Sequence, residues 1–325
     1  MKKVLVTGGT GFIGSNIVKS LIKKKYQVSV YDNNSRGELI NLNEFEGSFN
    51  FIEGDIRDKD KFINCSKGIN TIFHLAYING TKNFYSKPYE ILEIATKGIV
   101  NVIDAMNVNN IDNLVLASSS EVYQEPQIIP TDENIALSLP DVFNPRLSYG
   151  GGKIISELMS INFARKFNKN LKIFRPHNVF GPKMGFDHVI PEFITKILSQ
   201  QKKEEIDLEI QGSGNETRSF IYIDDFISGF ECILDHGEDL NIYNIGTEEE
   251  VSINEIIIYL SKLISKKINV KNTEKKYGST KRRCPNINKI KSLGFKNKYN
   301  LEEGIKKTYE FYKKEFEKSK LYKQF

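Results

Sequence analysis

Thr7-Gly8-Gly9-Thr10-Gly11-Phe12-Ile13-Gly14 is the stretch from which the architecture of this chain follows. It comes directly after the apolar run Val4-Leu5-Val6, and a helical pattern runs from Phe12 to Lys24. Two glycine spacings overlap in it: GxGxxG at Gly9, Gly11 and Gly14, and GxxGxxG at Gly8, Gly11 and Gly14. Alone, such spacings are common. Between a buried strand and a helix they carry a mechanism. Glycines let backbone amides come close to a pyrophosphate, and the helix N-terminus favours the anion. The stretch therefore predicts a strand-turn-helix unit that holds a dinucleotide.

The same alternation continues through the first half. Val28–Tyr31, Phe51-Ile52, Thr71–Leu75, Leu114–Ala117 and Leu171–Phe174 read as strands, and Pro88–Asn107 and Tyr149–Phe167 as long helices. Strands alternating with helices predict an α/β fold, a Rossmann doubly wound parallel sheet, followed by a smaller C-terminal α/β substrate domain. After Pro176 the rhythm becomes irregular, with Pro182 and Pro191 marking loops. We set the boundary at residue 177, giving a dinucleotide-binding domain at 1–177 and a substrate domain at 178–325. A segment within 219–247, Phe220–Ile223 foremost, is expected to return to the first sheet. Lys202–Glu209 reads as charged and solvated, Asn244 and Gly246 as a turn, and Leu301–Lys320 as an amphipathic surface helix.

Composition narrows the function. At 325 residues and 39% hydrophobic, the chain can build an ordinary soluble core, and one large domain or two are expected. No apolar run approaches the roughly 20 residues needed to cross a membrane. The start, MKKVLVTGG, is charged like a leader, but Gly8, Gly9 and Gly11 interrupt its apolar part and no cleavage pattern follows. A cytoplasmic location is expected. Cys65, Cys232 and Cys284 lie far apart and the four histidines are scattered, so no metal site is expected. The net charge of +5 suits a small anionic ligand. No basic stripe interleaves with aromatics, so nucleic acid is not an expected partner.

Asp32 and Asn33 close the second strand. A carboxylate there accepts the adenosine ribose hydroxyls and repels a 2′-phosphate, which favours NAD over NADP, although Arg36 lies close by. Asp55-Ile56 follows the third strand and is placed for the adenine, with Asp58 as a helix N-cap beyond it. Further on, Ser148-Tyr149-Gly150-Gly151-Gly152-Lys153 puts a tyrosine and a lysine one helical turn apart. Each of its glycines costs a helix roughly 1 kcal/mol against alanine, so their presence calls for a reason.

Taken together, TGGTGFIG, Asp32, GDIRD, HLAY (74–77), VLASSSEVY (115–123), YGGGK (149–153) and RPHNVFGP (175–182) resemble the extended short-chain dehydrogenase/reductase family. More narrowly the chain is similar to its nucleotide-sugar epimerases, dehydratases and decarboxylases, over essentially the whole length. The resemblance implies NAD held by Gly8, Gly11, Phe12, Ile13 and Gly14, by Asp32, Asn33, Asp55 and Ile56, and by Leu75, Ala76 and Lys153. It implies Tyr149 as the acid/base that exchanges a proton with a sugar hydroxyl, and Lys153 as the cation that lowers its pKa. A phenol titrates at roughly 10 and is a poor base at neutral pH until a cation favours phenolate. The glycines then remove side chains where cofactor and helix meet closely.

By the same resemblance Ser119 hydrogen-bonds the reacting hydroxyl, with Ser120 beside it, and Glu121 matches the residue that removes a carbon-5 proton in dehydratases. Those relatives carry Thr-Asp-Glu or Thr-Ser-Glu. Here Ser120 offers no carboxylic acid to a departing hydroxyl. Asn178, Arg218 and Arg283 match residues that hold a substrate diphosphate, a task suited to guanidinium forks. His177 and His188 are left without a role. Two departures stand out: Ala95 replaces an asparagine usual in relatives, and the bulky Tyr77 replaces an alanine.

The implied activity is NAD-dependent oxidation of a nucleotide-diphosphate sugar at carbon 4. Capsular heptose biosynthesis offers the nearest pattern, a GDP-manno-heptose 4-dehydrogenase serving surface polysaccharide. A 4-epimerase or 4,6-dehydratase is the alternative. A non-catalytic NAD-sensing regulator is more remote, since such proteins lose the tyrosine or lysine kept here. The family's habit of pairing through two long helices implies a homodimer or homotetramer.

Overall fold

In β1 (Lys3–Thr7) every residue after the first is buried. Its side chains alternate: Val4 and Val6 join one hydrophobic cluster and Leu5 another, so both faces of the strand are covered. This follows from the uninterrupted apolar run. A computed structural model describes residues 2–186, 188–274 and 280–322. After β1 come α1 (Phe12–Lys23), β2 (Gln27–Asp32), β3 (Phe49–Glu53), α2 (Lys59–Cys65), β4 (Thr71–His74), α3 (Thr81–Ser86), α4 (Pro88–Val108), β5 (Asn113–Ala117), α5 (Leu147–Phe167) and β6 (Asn170–Pro176). Beyond β6 lie β7 (Val179–Phe180), α6 (Val189–Ser199), β8 (Ile206–Gln211), β9 (Thr217–Ser219), β10 (Ile221–Tyr222), α7 (Ile223–His236), β11 (Asn241–Ile245), β12 (Glu250–Ser252), α8 (Ile253–Ile264), β13 (Ile268–Thr273), β14 (Arg282–Arg283), α9 (Asn288–Lys291) and α10 (Leu301–Tyr322).

Seven strands form one parallel sheet in the order β11-β6-β5-β4-β1-β2-β3. The fold is the expected α/β doubly wound sheet. Ile17 and Val18 of α1 and Phe226 and Phe230 of α7 cover one face. Ile99, Val102 and Met106 of α4 and Phe163 of α5 cover the other. The strand order reverses between β1 and β4, which opens a crevice at their C-terminal ends.

Three expectations about the second half need correction. Phe220–Ile223 does not return to the large sheet: β10 pairs with β7 in a two-stranded sheet, and β11 is the strand that returns. Asn244 is no turn residue but lies within β11, fully buried, its Oδ1 accepting from Tyr123 OH at 2.8 Å and its N–H donating to Glu133 Oε1 at 2.8 Å. Polar side chains hid a strand whose hydrogen bonds are satisfied internally. Lys202–Glu209 is not solvated throughout, because β8 buries Ile206, Leu208 and Ile210 on one face and exposes the residues between. Period-two alternation, masked by the charges, was the signal.

The smaller three-stranded sheet runs β12-β9-β14, and its register sets Arg283 directly beside Arg218. Among the described residues no helix is long and apolar enough to cross a membrane, and no group of three or more His, Cys, Asp or Glu side chains could hold a metal.

Candidate active site

A cavity of about 1550 Å³ opens at the C-terminal ends of β1, β2, β4, β5 and β6. Gly8, Gly11, Phe12, Ile13 and Gly14 line one end. Gly8 has φ +70°, the left-handed region where glycine alone is at ease. A Cβ on it would lie 2.7 Å from the Ala76 nitrogen, and one on Gly14 would overlap the Gly8 carbonyl. Space beside Gly11 is open apart from that carbonyl at 3.4 Å. The start of α1 has neither a side-chain cap nor an acidic residue in its first turn. Its orphan N–H groups and positive dipole end are thus available to an anion. This cradle fits a dinucleotide pyrophosphate.

Asp32 is buried at the end of β2 and braces the glycine turn: Oδ2 accepts from Thr10 N–H and Oδ1 from Asn34 N–H, both at 2.9 Å. A carboxylate has about four acceptor sites, so two remain for ribose hydroxyls. Asp55 is more committed. It takes two hydrogen bonds from the Arg57 side chain at 2.9 and 2.7 Å and one from Asn33 Nδ2 at 3.1 Å. Arg57 holds its carboxyl down at about 2. Asp55 and Ile56 still line the cavity, while Asp58 caps α2 by accepting from Lys61 N–H at 3.1 Å. The N–H groups of Leu75 and Ala76 donate to Thr7 Oγ1, each at 3.1 Å, tying the end of β4 to β1.

The tyrosine and lysine sit on the first turns of α5, almost wholly buried at 5% and 4% exposure. Tyr149 stacks on Phe84 (4.8 Å between centroids, 26°) and meets Tyr77 edge-on (5.1 Å, 82°). Its hydroxyl hydrogen-bonds Ser119, whose Oγ accepts from Glu121 N–H at 3.1 Å. Burial pushes the Tyr149 phenol above its usual range, and the Ser119 contact offsets only part of this. Lys153 Nζ donates to the Ala117 carbonyl at 2.7 Å, and burial lowers its pKa to about 7. Lys153 is not among the groups that set the Tyr149 pKa, which burial governs first and the Ser119 contact second. Its ammonium is 3.9 Å from the Tyr77 ring centroid but 5.9 Å from that of Tyr149, so it lies nearer the ring of Tyr77 than that of the phenol.

The glycines of α5 also have close neighbours within the protein. A Cβ on Gly150 would overlap the Gln124 amide and lie 2.7 Å from the Glu121 carbonyl. One on Gly152 would overlap the Tyr77 hydroxyl and lie 2.7 Å from the Ala95 Cβ. Gly151 faces only Leu139, at 3.4 Å. Gly150 and Gly152 therefore admit parts of the protein itself, and the small Ala95 on α4 serves the same close packing.

On the substrate side, Asn178 has a left-handed backbone (φ +38°) and its Nδ2 donates to the Ser219 carbonyl at 2.7 Å. Arg218 donates to the carbonyls of Thr217, Lys281 and Thr280 at 2.7, 3.2 and 2.6 Å, and burial brings its pKa down to about 10. Arg283 does not stand free for a diphosphate as expected. Its two terminal nitrogens grip Glu121 at 2.7 and 3.2 Å. Arg146, which sequence reading missed, adds a longer bond to Glu121 at 3.5 Å. Its only sequence signal was a lone arginine three residues before Tyr149. Burial alone would raise the Glu121 pKa, but Arg283 and then Arg146 outweigh it and hold the carboxyl at about 2. Three guanidinium groups thus face one carboxylate, and the cavity keeps excess positive charge suited to a polyanion. Ser120 lines the cavity between them. His177 is buried, hydrogen-bonded to Asn244 at 3.0 Å, and kept neutral by burial.

A glycine cradle at a sheet switch point, joined to a Ser-Tyr-Lys set, defines a dinucleotide-dependent enzyme of the short-chain dehydrogenase type. The sequence pattern of the NAD dependent epimerase/dehydratase family matches residues 4–246, and the chain belongs to that family. A candidate UDP-glucose 4-epimerase of Methanocaldococcus jannaschii is 34% identical over 310 residues, 94% of this chain and 96% of the relative. A UDP-N-acetyl-alpha-D-glucosaminuronate decarboxylase of Bacillus cytotoxicus is 30% identical over 96% of this chain and 98% of its own. The crystal structure of UDP-glucose 4-epimerase with UDP-glucose from Thermotoga maritima superposes with a TM-score of 0.87 at 26% identity, covering 96% of this chain and 99% of the other.

Proposed function

We propose that the protein oxidises the carbon-4 hydroxyl of a nucleotide-diphosphate sugar. The observation that carries this reading is the Ser119-Tyr149-Lys153 set on the wall of a cavity that also holds Arg146, Arg218 and Arg283. Bound NAD supplies the acceptor for the hydride leaving carbon 4. Ser119 orients the sugar hydroxyl, and Tyr149, once deprotonated, takes its proton. Lys153 holds the ribose next to the reacting carbon, and Arg218 and Arg146 with Asn178 take the diphosphate, while Arg283 holds Glu121. In this reading residues 1–177 bind NAD, with β11 completing their sheet, and 178–325 bind the nucleotide sugar.

The state of Glu121 supports oxidation without dehydration. A carboxylate whose pKa is about 2 and which is gripped by two arginines is a weak base at neutral pH. Removal of a carbon-5 proton is then disfavoured, and the 4-keto sugar is released as product. The preferred substrate, a GDP-activated manno-heptose for surface polysaccharide, rests on the resemblance of YGGGK and RPHNVFGPKMGFDHVIP to capsular heptose enzymes. Asp187 within that stretch lies outside the described residues. A 4-epimerase is the second reading, favoured by the names of the archaeal relative and the Thermotoga structure.

Mass spectrometry of products from a panel of GDP-, UDP- and dTDP-sugars tests this. A product lighter by two hydrogens, with NADH formed, is expected. A dehydrated product would overturn the reading, and an isomer of unchanged mass would select the epimerase. Glu121→Gln is expected to leave ketone formation within about tenfold, since the carboxylate is not the base here. A dehydratase would instead lose water release with this change.

We also propose a homodimer through α4 and α5. These helices pack on each other, yet Tyr89, Leu92 and Val100 of α4 and Ile155 and Leu158 of α5 remain exposed on their outer side. Such a stripe on two adjoining helices needs cover. Leu158→Glu is expected to yield monomers by light scattering. An unchanged mass for both forms would remove the idea.

A further inference from the structure

We infer that Tyr77 is a positioning residue of the catalytic pair, its ring face cradling the Lys153 ammonium and its edge setting the Tyr149 ring, and that residue 152 is glycine in order to admit it. This rests on the assignment of Tyr149 and Lys153 above.

Three observations converge. Lys153 Nζ stands 3.9 Å from the Tyr77 centroid, well inside the range where the negative face of an aromatic ring attracts a cation. The same ring meets Tyr149 edge-on at 5.1 Å and 82°, while Phe84 stacks on Tyr149 at 4.8 Å and 26°. Together they leave the Tyr149 ring little freedom to tilt. The Tyr77 hydroxyl, for its part, is buried without a hydrogen-bond partner and lies where a Gly152 Cβ would be. An unpartnered buried hydroxyl is a burden on stability, and glycine inside a helix is another. Both burdens attach to one contact, and what that contact secures is the placement of the ring beneath the lysine.

The chemistry follows from burial. Lys153 has one carbonyl partner, Ala117, and the other titratable groups around it are Glu157 and Tyr149 on α5 and His74 on β4. His74 is kept neutral by burial and offers no counter-charge. Glu157 favours the charged lysine but is itself paired with Arg175, and the Tyr77 ring adds its attraction at 3.9 Å without competing for the donors that a ribose requires.

The test uses the full chain without any sugar, so that a wrong substrate cannot imitate failure. The Lys153 side chain is titrated by NMR, assigned with Lys153→Met, in the parent, Tyr77→Phe and Tyr77→Leu proteins. Tyr77→Phe keeps the ring and is expected to keep the midpoint. Tyr77→Leu is expected to lower it by about half a unit to one and a half units, because the ring's attraction for the cation is lost. In parallel, Gly152→Ala is expected to lower the melting temperature, and less so in the Tyr77→Phe background, where the hydroxyl is gone; the remaining loss belongs to Ala95. An unchanged midpoint in Tyr77→Leu, or a Gly152→Ala loss that is the same with tyrosine and phenylalanine at 77, would overturn the inference. NAD affinity by calorimetry in the same variants is expected to weaken for Tyr77→Leu and hold for Tyr77→Phe.

Discussion

Tyr149→Phe is expected to lower carbon-4 oxidation by about 10²–10⁴-fold, the span typical of a lost acid/base, while NAD affinity stays within a few-fold. The phenyl ring of Tyr149 is held by Phe84 and Tyr77, so phenylalanine fills the same space and only the hydroxyl is lost. Ser119 can still orient the sugar hydroxyl, but no group remains at that position to take its proton. Because burial raises the phenol, the oxidation rate of the parent is expected to climb with pH through the neutral range without levelling off, since the small phenolate fraction keeps growing below the raised midpoint. The variant should lose that rising limb along with its rate. Steady-state NADH formation against pH, with calorimetry for NAD, measures both. A variant retaining a tenth or more of the parent rate with the limb intact would mean that another group takes the proton.

The second large effect concerns stability. Glu157→Ala is expected to cost about 3–5 kcal/mol, the usual cost of breaking a buried ion pair by removing one partner. Arg175 is 2% exposed and its Nε and Nη2 donate to the two Glu157 oxygens at 2.9 and 2.6 Å. Ser118 also donates to this carboxylate, and Arg175 donates onward to the Tyr123 hydroxyl at 2.7 Å and the Glu133 carbonyl at 3.2 Å. With the carboxylate gone, a guanidinium remains in the interior between β6 and α5 without its counter-charge. Urea unfolding should show a lower midpoint for Glu157→Ala, and the double change Glu157→Met with Arg175→Met should regain much of the loss, since both charges are then removed. A single change that leaves the midpoint in place would show that the pair contributes little. Ser118, which donates to Glu157, directly precedes Ser119, so loss of Glu157 is also expected to loosen the strand end that presents it.

The two effects separate what local pattern carries from what packing carries. Val4–Val6, the glycine turn and the alternation of apolar runs with helical periods were enough to read a parallel doubly wound sheet, because a strand buried on both faces must be apolar throughout and a phosphate-binding turn must be rich in glycine. Asp32, Tyr149 and Lys153 were legible for a related reason: their spacing from those elements is a property of one helix or one strand end. β11 and β8 were not legible, since Asn244 finds its partners on distant segments and the charges of β8 lie on its outer face.

The state of each site residue was equally out of reach of the sequence. Nothing local says that Arg283, 162 positions away, would close on Glu121 and hold it ionised. Nor does anything local say that Gly152 faces Tyr77, or that Lys153 would lie over that ring and further from Tyr149. Identity and spacing along the chain determined the fold class, the glycine turn at the switch point and the placing of Tyr149 and Lys153 one turn apart on one helix, because backbone geometry ties each of these to its near neighbours. Ion pairing, the direction of each pKa shift and the close contacts of Gly150 and Gly152 were decided by the folded molecule, because they depend on burial and on groups brought together from segments that are remote in sequence.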